Sequence, residues 1–162
     1  MSKMIPRRSI DAFRHQVDTT LDMYGFECDL WIPTNLDDLV GLGMYVDPTD
    51  IEYNHYTAMV FIHWAVSVYM LKKLGVYVEG ETALLVNLPY HAVDDDGAEV
   101  AINVLAQSYI RVPLEFVPSS TVKPVEFELV CPVIKNMHDA SLVKQWKAVP
   151  RRVPEAEITE DT

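Results

Sequence analysis

The hydrophobic pattern of this chain changes its period at Gly25. Before this residue, apolar residues recur at steps of three and four, which predicts an amphipathic helix with Ser9 as its N-cap. After it, apolar and polar residues alternate as far as Pro33, which predicts a half-buried strand. The helical stripe comprises Ile10, Phe13, Val17, Leu21 and Tyr24, and the alternating apolar residues are Phe26, Cys28, Leu30 and Ile32.

The remainder of the chain has mostly strand-like runs separated by turn residues about every ten positions. This spacing predicts a mainly β fold, a small antiparallel β-barrel or sandwich of six to eight strands with one N-terminal helix. Residues 66–74 fit either a short helix or a strand, and residues 91–97 read as a turn or loop. Strands are expected at 58–64, 108–117 and 125–134, with a hairpin formed by 76–78 and 82–88, and residues 141–149 close the domain.

The 162 residues, 49% of them apolar, are enough for one domain with a real core. We divide the chain into an N-terminal arm, residues 1–8, a single β-rich domain, residues 9–150, and a flexible C-terminal tail, residues 151–162. The tail begins with two adjacent cations, Arg151 and Arg152, which could pair with an acidic partner or be plain solvated charges.

Residues 34–56 have no clean period and are rich in acids and glycine. Loops of about twenty residues are uncommon in compact domains and tend to be functional. We therefore predict a long, projecting acidic loop, with a short strand around 42–46. Its candidate contact residues are Asp37, Asp38, Asp50 and Glu52.

Charge is segregated along the chain. Residues 15–110 contain fifteen acids and two bases, Lys72 and Lys73, and the whole chain carries a net charge of -11. Nucleic-acid binding requires cations set against phosphates. The composition therefore excludes an ordinary DNA-grasping protein and disfavours binding to anionic membranes.

Residues with catalytic or metal-binding spacing are scarce. Asp94, Asp95 and Asp96 precede Gly97, which suggests a cation-binding turn, but the calcium-loop spacing fails and a solvated acidic turn is the preferred interpretation. The chain has no phosphate-binding glycine motif and no nucleophile motif. We predict no catalytic, cofactor-binding or metal-binding residues and no enzymatic activity. Aromatic residues of the middle region, among them Tyr56 and Trp64, are assigned to core or subunit-interface packing.

Three segments resemble one family. They are SIDAFRHQVDTTLDMYGFECDLWIPTN near the start, VFIHWAVSVYMLKKLGVYVEGE in the middle and FELVCPVIKNMHDASLVKQWKAVPRR near the end. In the order and residue pattern of these segments, which cover about half of it, the chain resembles the small neck proteins of tailed bacteriophages, the head–tail connector or head-closure proteins.

The resemblance implies a homo-oligomeric ring in the virion neck, made in the host cytoplasm, with a small β-barrel fold and no cofactor. Its expected partners are further copies of itself, a portal or adaptor protein, and a tail terminator or tail tube protein. Genomic DNA would pass through the channel on ejection without sequence-specific binding, and no membrane is involved. The acids of the 34–56 loop and Asp94, Asp95 and Asp96 are then the candidates for lumen or ring-contact surfaces.

Other functions remain open from the sequence. A tail-completion or baseplate adaptor subunit would share a barrel and an acidic lumen. An acidic cytosolic binding module, such as a nucleic-acid mimic, would use the 34–56 acids to bind a basic protein. A cation-dependent hydrolase built around Asp94–Asp96 is the third alternative.

Overall fold

The computed structural model describes residues 7–36, 50–64, 66–80, 83–118, 126–133 and 144–151. Two α-helices are α1 (Arg7–Tyr24) and α2 (Val68–Leu74), and a short 3-10 helix spans Leu114–Phe116. The strands are β1 (Phe26–Pro33), β2 (Tyr53–His63), β3 (Leu84–Asn87), β4 (His91–Asp94), β5 (Glu99–Ala101), β6 (Tyr109–Arg111), β7 (Glu126–Pro132) and β8 (Gln145–Pro150).

Six antiparallel strands close into a barrel in the order β1-β6-β7-β8-β3-β2, with β2 pairing back to β1. Strands β4 and β5 lie outside the barrel as a hairpin that joins it through β2. The eleven-residue β2 makes this possible, because it pairs with β1 along one edge and with both β3 and β4 along the other. The predicted mainly β fold with an antiparallel barrel and an N-terminal helix is confirmed.

The barrel interior is filled by alternate residues of the strands, as a period of two requires. In β1 the residues Cys28, Leu30 and Ile32 are buried, as the alternating pattern predicts. The core also receives Val60, Val86, Ile110, Phe127, Leu129 and Ala148 from the other barrel strands. Residues between these positions therefore form the outer face of the barrel.

Helix α1 joins β1 through Gly25, where the two backbones come very close. A Cβ atom at this position would lie 2.6 Å from the Leu21 carbonyl oxygen and 2.7 Å from the Val60 carbonyl oxygen. The helix begins at Arg7, two residues before the predicted N-cap Ser9, so the last two residues of the predicted arm are helical. Of the predicted apolar stripe only Leu21 is buried, whereas Phe13 is 40% exposed.

The ambiguous run at 66–74 forms a helix. Ser67 caps α2 by accepting a hydrogen bond from the Met70 backbone N–H, and Gly75 ends it in the left-handed region at φ 75°. Leu71 is the buried residue of α2 and packs with Leu85 and Val133 in a small second cluster. The local capping residues thus outweigh the β-branched content of this run.

Several strand predictions are wrong in detail. Residues 76–78 form no strand, and β3 pairs with β2 and β8 instead of forming the predicted hairpin. Residues 91–94 are strand β4, and β5 was not predicted, because three- and four-residue strands are too short for a readable period. Residues 53–56 belong to β2 and not to the acidic loop, and β6 ends before Pro113. The predicted strand at 42–46 lies outside the described residues.

Candidate interaction surfaces

The outer face of β1, β2 and β6 carries a row of aromatic rings. Trp31 stacks on Tyr109 with 4.7 Å between ring centroids and 11° between ring planes. On its other side Trp31 contacts the His55 ring at 4.9 Å, and Tyr53 meets Tyr109 edge-on at 5.1 Å. The strand register accounts for the row, since Trp31 pairs with both His55 and Tyr109 across its two neighbouring strands.

A carboxylate and two guanidinium groups continue this row across β7 and the end of β8. Glu126 accepts hydrogen bonds from Arg111 Nη2 at 2.6 Å and from Arg151 Nη1 at 3.0 Å. The guanidinium carbon of Arg151 lies 3.7 Å from the Tyr109 ring centroid, and that of Arg111 lies 5.2 Å from the Trp31 centroid. Burial alone would raise the pKa of Glu126, but the bonds from the two arginines outweigh it and hold that pKa below its ordinary value.

At the opposite end of the row, His55 stands between two carboxylates. Its Nδ1 lies 2.5 Å from Asp95 Oδ1 and its Nε2 lies 2.9 Å from Asp29 Oδ1. Neutral imidazole has one N–H, so donating to both partners requires the protonated ring. The hydrogen bond that His55 donates to Asp95 raises the pKa of His55 above its ordinary value, against the opposing effect of burial.

We call this whole surface the outer-face patch. Tryptophan, tyrosine and arginine are the residue types most enriched at the energetic centres of protein interfaces. The patch combines all three with ion pairs that fix their side chains before any partner binds, which lowers the entropy cost of association. It comprises Asp29, Trp31, Tyr53, His55, Asp95, Tyr109, Arg111, Glu126 and Arg151.

A second surface lies between α1 and the barrel, at the end where β1 begins and β2 ends. It is a groove with a volume of about 770 Å³. Its walls are mostly apolar, and the rims carry exposed rings, with Tyr24 70% exposed. We call it the helix groove, lined by Phe13, Gln16, Val17, Thr20, Leu21, Tyr24, Phe61, Asn87, Leu88, Tyr90, Lys144 and Gln145.

Two cations approach the Tyr90 ring beside this groove. Arg14 Cζ lies 5.5 Å from the ring centroid and Lys144 Nζ lies 4.8 Å from it. Burial lowers the pKa of Lys144 to about 8, although the carboxylate of Asp18 acts in the other direction. Asp18 is itself engaged, because its two oxygens bind the Tyr90 backbone N–H at 2.6 Å and His91 Nδ1 at 2.7 Å.

The acidic turn predicted at residues 94–96 is a tight hairpin turn between β4 and β5. Asp94 Oδ1 accepts hydrogen bonds from the backbone N–H groups of Asp96 and Ala98, so it stabilises the turn itself. Asp95 binds His55, and Asp96 is exposed. The three carboxylates therefore have different environments. Within the described ranges, no group of three acid, cysteine or histidine side chains could hold a metal ion.

The base of the acidic loop is held together by Asn35. Its Oδ1 accepts from the Glu52 backbone N–H at 2.9 Å, and its Nδ2 donates to the Asp50 carbonyl oxygen at 2.9 Å. Asp50 and Glu52 thus lie beside the end of β1, on an exposed part of the barrel end. The other candidates of this loop, Asp37 and Asp38, and the tail residue Arg152 lie outside the described residues.

Tyr56 and Trp64, which the sequence assigned to core or interface packing, both lie against the core. The Trp64 ring meets the Phe127 ring edge-on at 5.7 Å. Both are only partly buried, so packing inside the barrel uses most but not all of their surface. Arg151, for which the sequence left open an acidic partner or a plain solvated charge, binds Glu126 of its own chain.

Most residues of the outer-face patch and the cations of the helix groove were not singled out from the sequence. Trp31 and Asp29 occupy the polar phase of β1, and a tryptophan in that phase was the available signal of an outward-facing aromatic side chain. The partners of these residues come from distant strands, and pairing of β1 with β6 is not readable from a local pattern. The tie between Asp18 and His91 likewise joins α1 to β4 and has no local signature.

Neither surface has the arrangement of a nucleophile activated by a base. Burial raises the pKa of the Cys28 thiol to about 12, so this cysteine is an unreactive core residue. Among the helices that the structure describes, none has the length and apolar character to cross a membrane. Comparison of the chain with protein-family models, with curated proteins and with solved structures finds no match.

Proposed function

We propose that this protein is a structural, non-enzymatic subunit of a ring in the neck of a tailed bacteriophage. The ring would join the portal or adaptor protein to the tail terminator or tail tube protein and form part of the DNA channel. The resemblance of three segments to head–tail connector proteins motivates the proposal. One structural observation carries it: the barrel has two unlike interaction-type surfaces, the outer-face patch and the helix groove.

Two different surfaces on one subunit suit a ring. A rotationally symmetric ring of more than two copies uses heterologous contacts, in which one face of a subunit meets a different face of the next. The outer-face patch extends over the end where β1 pairs with β6, including Trp31 and Tyr109. The helix groove lies at the other end of β1, beside Gly25. In such a ring, the outer-face patch of each subunit can contact the helix groove of the next subunit.

The charge of the chain agrees with a place beside DNA in transit. A net charge of -11 gives a wall that does not hold phosphates, which lowers the barrier to moving DNA through a channel. The basic groups of the outer-face patch are matched within the chain, since Arg111 and Arg151 share Glu126 and His55 contacts the carboxylates of Asp29 and Asp95. The patch is therefore suited to a protein partner more than to a nucleic acid.

Cryo-electron microscopy of virions that contain this chain tests the proposal. We expect a symmetric ring of this barrel between capsid and tail. A ring found at the baseplate would assign the chain to tail completion instead. Absence from every virion, together with capture of a basic protein by the purified chain, would replace the proposal with the acidic binding module.

Substitution of the patch provides a second, matched test. Trp31→Ala removes the indole that contacts both His55 and Tyr109. We expect the subunits to lose their assembly into the oligomeric ring while the circular dichroism spectrum stays unchanged. Tyr69→Ala, at a 74% exposed tyrosine on α2, serves as the control and should assemble normally. Normal assembly of Trp31→Ala would remove the outer-face patch from the interface.

A further inference from the structure

Two cations lie at or beside the helix groove in a strongly acidic chain: Lys144 lines it, and Arg14 is next to it at the Tyr90 ring. Arg14 and Lys144 both face Tyr90, and the carboxylate of Asp18 is shared with His91. Arg14 Nε is buried and, within the described residues, has no hydrogen-bond partner. The groove thus offers an apolar surface with positive charge that its own chain only partly compensates, which fits an apolar segment carrying carboxylates.

The chain contains such a segment directly after β8. Residues 152–162 read RVPEAEITEDT, with four acids and one arginine. Acidic and apolar residues alternate at Glu155, Ala156, Glu157 and Ile158. In an extended conformation this alternation directs the apolar side chains to one face and the carboxylates to the other. The segment therefore matches both properties of the groove.

The groove and the start of this segment lie at opposite ends of β8. Lys144 and Gln145, at the beginning of β8, line the groove. Arg151, just past the end of β8, is held in place by Glu126 through both its backbone N–H and its side chain. A six-residue strand spans about 20 Å. In a head-to-tail contact, the end of β8 in one copy would approach the groove of the next.

We propose that the helix groove receives residues 152–162 of a neighbouring copy of the same chain. This inference rests on the proposed ring and names the contact that would link its subunits. Eleven extended residues reach ~37 Å, which is enough to cross a subunit boundary and lie along the groove. Ala156 and Ile158, on one face of the extended segment, supply apolar contacts to Phe13 and Val17, and Glu155 and Glu157, on the other face, lie near Lys144 and Arg14.

Cross-linking between variants of the full chain that each carry one introduced cysteine tests this contact, since the native Cys28 is buried. One variant carries Thr20→Cys at the groove and the other carries Ile158→Cys, both with Cys131→Ser to remove the partly exposed native thiol. Mixed under mild oxidation, they should form a disulfide-linked heterodimer on non-reducing gels. Thr19→Cys, on the adjacent exposed residue of α1 that does not line the groove, is the matched control and should cross-link at least about threefold less.

Charge provides a second readout. Introducing Lys144→Gln into the groove variant should lower the cross-linking yield severalfold without loss of the folded circular dichroism spectrum. Unchanged yield would show that the positive charge is not used and would overturn the charge argument. If Lys144→Gln unfolds the chain, added salt replaces it, because screening should lower the yield of the unmodified pair.

The remaining outcomes separate this inference from the ring itself. Absence of the heterodimer overturns docking between copies. So does a disulfide that forms only within one chain when Thr20→Cys and Ile158→Cys are combined in a single variant. A neck ring without cross-linking would leave the proposed function standing and reject the groove contact. Cross-linking by a chain that is absent from virion necks would support the groove contact and reject the proposed function.

Discussion

His55 Nδ1 lies 2.5 Å from Asp95 Oδ1, so a strand of the barrel holds the turn of the outer β4–β5 hairpin. Through Nε2 the same ring binds Asp29 on β1, 2.9 Å away. One imidazolium thus joins two barrel strands to a hairpin that is otherwise paired to the barrel only at Tyr56 and Thr57 of β2. Protonation of His55 therefore adds one tie to a hairpin that is also held by the bond between His91 and Asp18 and by Ala92 in the core.

Replacing Asp95 by asparagine should weaken this tie. Asp95 is 72% exposed on its side chain, so we expect a loss of ~0.5–1 kcal/mol in the free energy of unfolding at a pH below 6.5, and not more. Urea denaturation measures the change. Asp96→Asn, at an exposed residue of the same turn, is the control and should leave stability unchanged. Equal effects of the two substitutions would contradict the role of Asp95.

The same tie makes stability depend on pH in a defined direction. The pKa of His55 is raised in the folded state, so its contribution is complete below the unfolded value of about 6.5. It is lost as pH rises through the folded-state pKa. We expect the stability of the native chain to fall over this interval and the fall to be smaller in Asp95→Asn. A titration of the His55 ring by NMR should place its pKa above 6.5, and a value below 6.5 would refute the prediction.

Glu126 should be more important for stability than its position on the surface suggests. It is the shared acceptor of Arg111 and Arg151, and its side chain is only 15% exposed. Glu126→Gln replaces the charged acceptor of both guanidinium groups by a neutral amide, which weakens both bonds. We expect the free energy of unfolding, measured by chemical denaturation, to fall by ~1–3 kcal/mol. The exposed Glu115→Gln is the control. A loss below that of the control would show that the arginines find other acceptors.

Glycine is required at position 25 because neighbouring backbone atoms leave no room for a side chain, and not because the backbone is left-handed. A methyl group there would be 2.6 Å from the Leu21 carbonyl oxygen, so Gly25→Ala must displace α1 from β1, and we expect a cost of at least ~2 kcal/mol. Gly75 has φ 75° and open space around it. Gly75→Ala should therefore cost only the ~1–2 kcal/mol of a left-handed alanine. Thermal denaturation of the two variants compares them, and a smaller cost at Gly25 would argue against the close approach.

Two residues of the helical stripe should behave differently. Leu21 is 6% exposed, and Leu21→Ala should cost ~2–3 kcal/mol through the cavity it leaves. Phe13 is 40% exposed at the rim of the helix groove, so Phe13→Ala should cost less than ~1 kcal/mol. Urea denaturation gives both values. Equal large losses would mean that another part of the protein buries Phe13.

How far the sequence predicts this molecule depends on the range of the interaction. The α1 stripe and the alternation of β1 are local patterns, and with the regular turn spacing they lead to the mainly β barrel class. The three-residue β5 and β6 exist because of their partners, β4, β1 and β7. No local pattern encodes such pairing, and for the same reason Trp31 and His55 could not be recognised as neighbours.

The candidate residues were chosen as clusters of like charge, and the structure gives them other environments. Asp94 hydrogen-bonds its own turn, and Asp95 meets His55, which lies forty positions away in the chain. A run of acids in sequence therefore did not correspond to one surface. Arg151 was placed in a tail, whereas its bonds to Glu126 make it an extension of β8.

The closure of the barrel between β1 and β6 has a kinetic consequence. Asp29 pairs with Arg111 and Trp31 with Tyr109, so the last seam joins segments from the first and last thirds of the described fold. Contacts between such distant segments form slowly, because a long loop must be closed before they become favourable. Until that seam forms, β1 and β6 present unpaired edges, and a newly made chain is most exposed to aggregation or strand exchange with another copy during that interval.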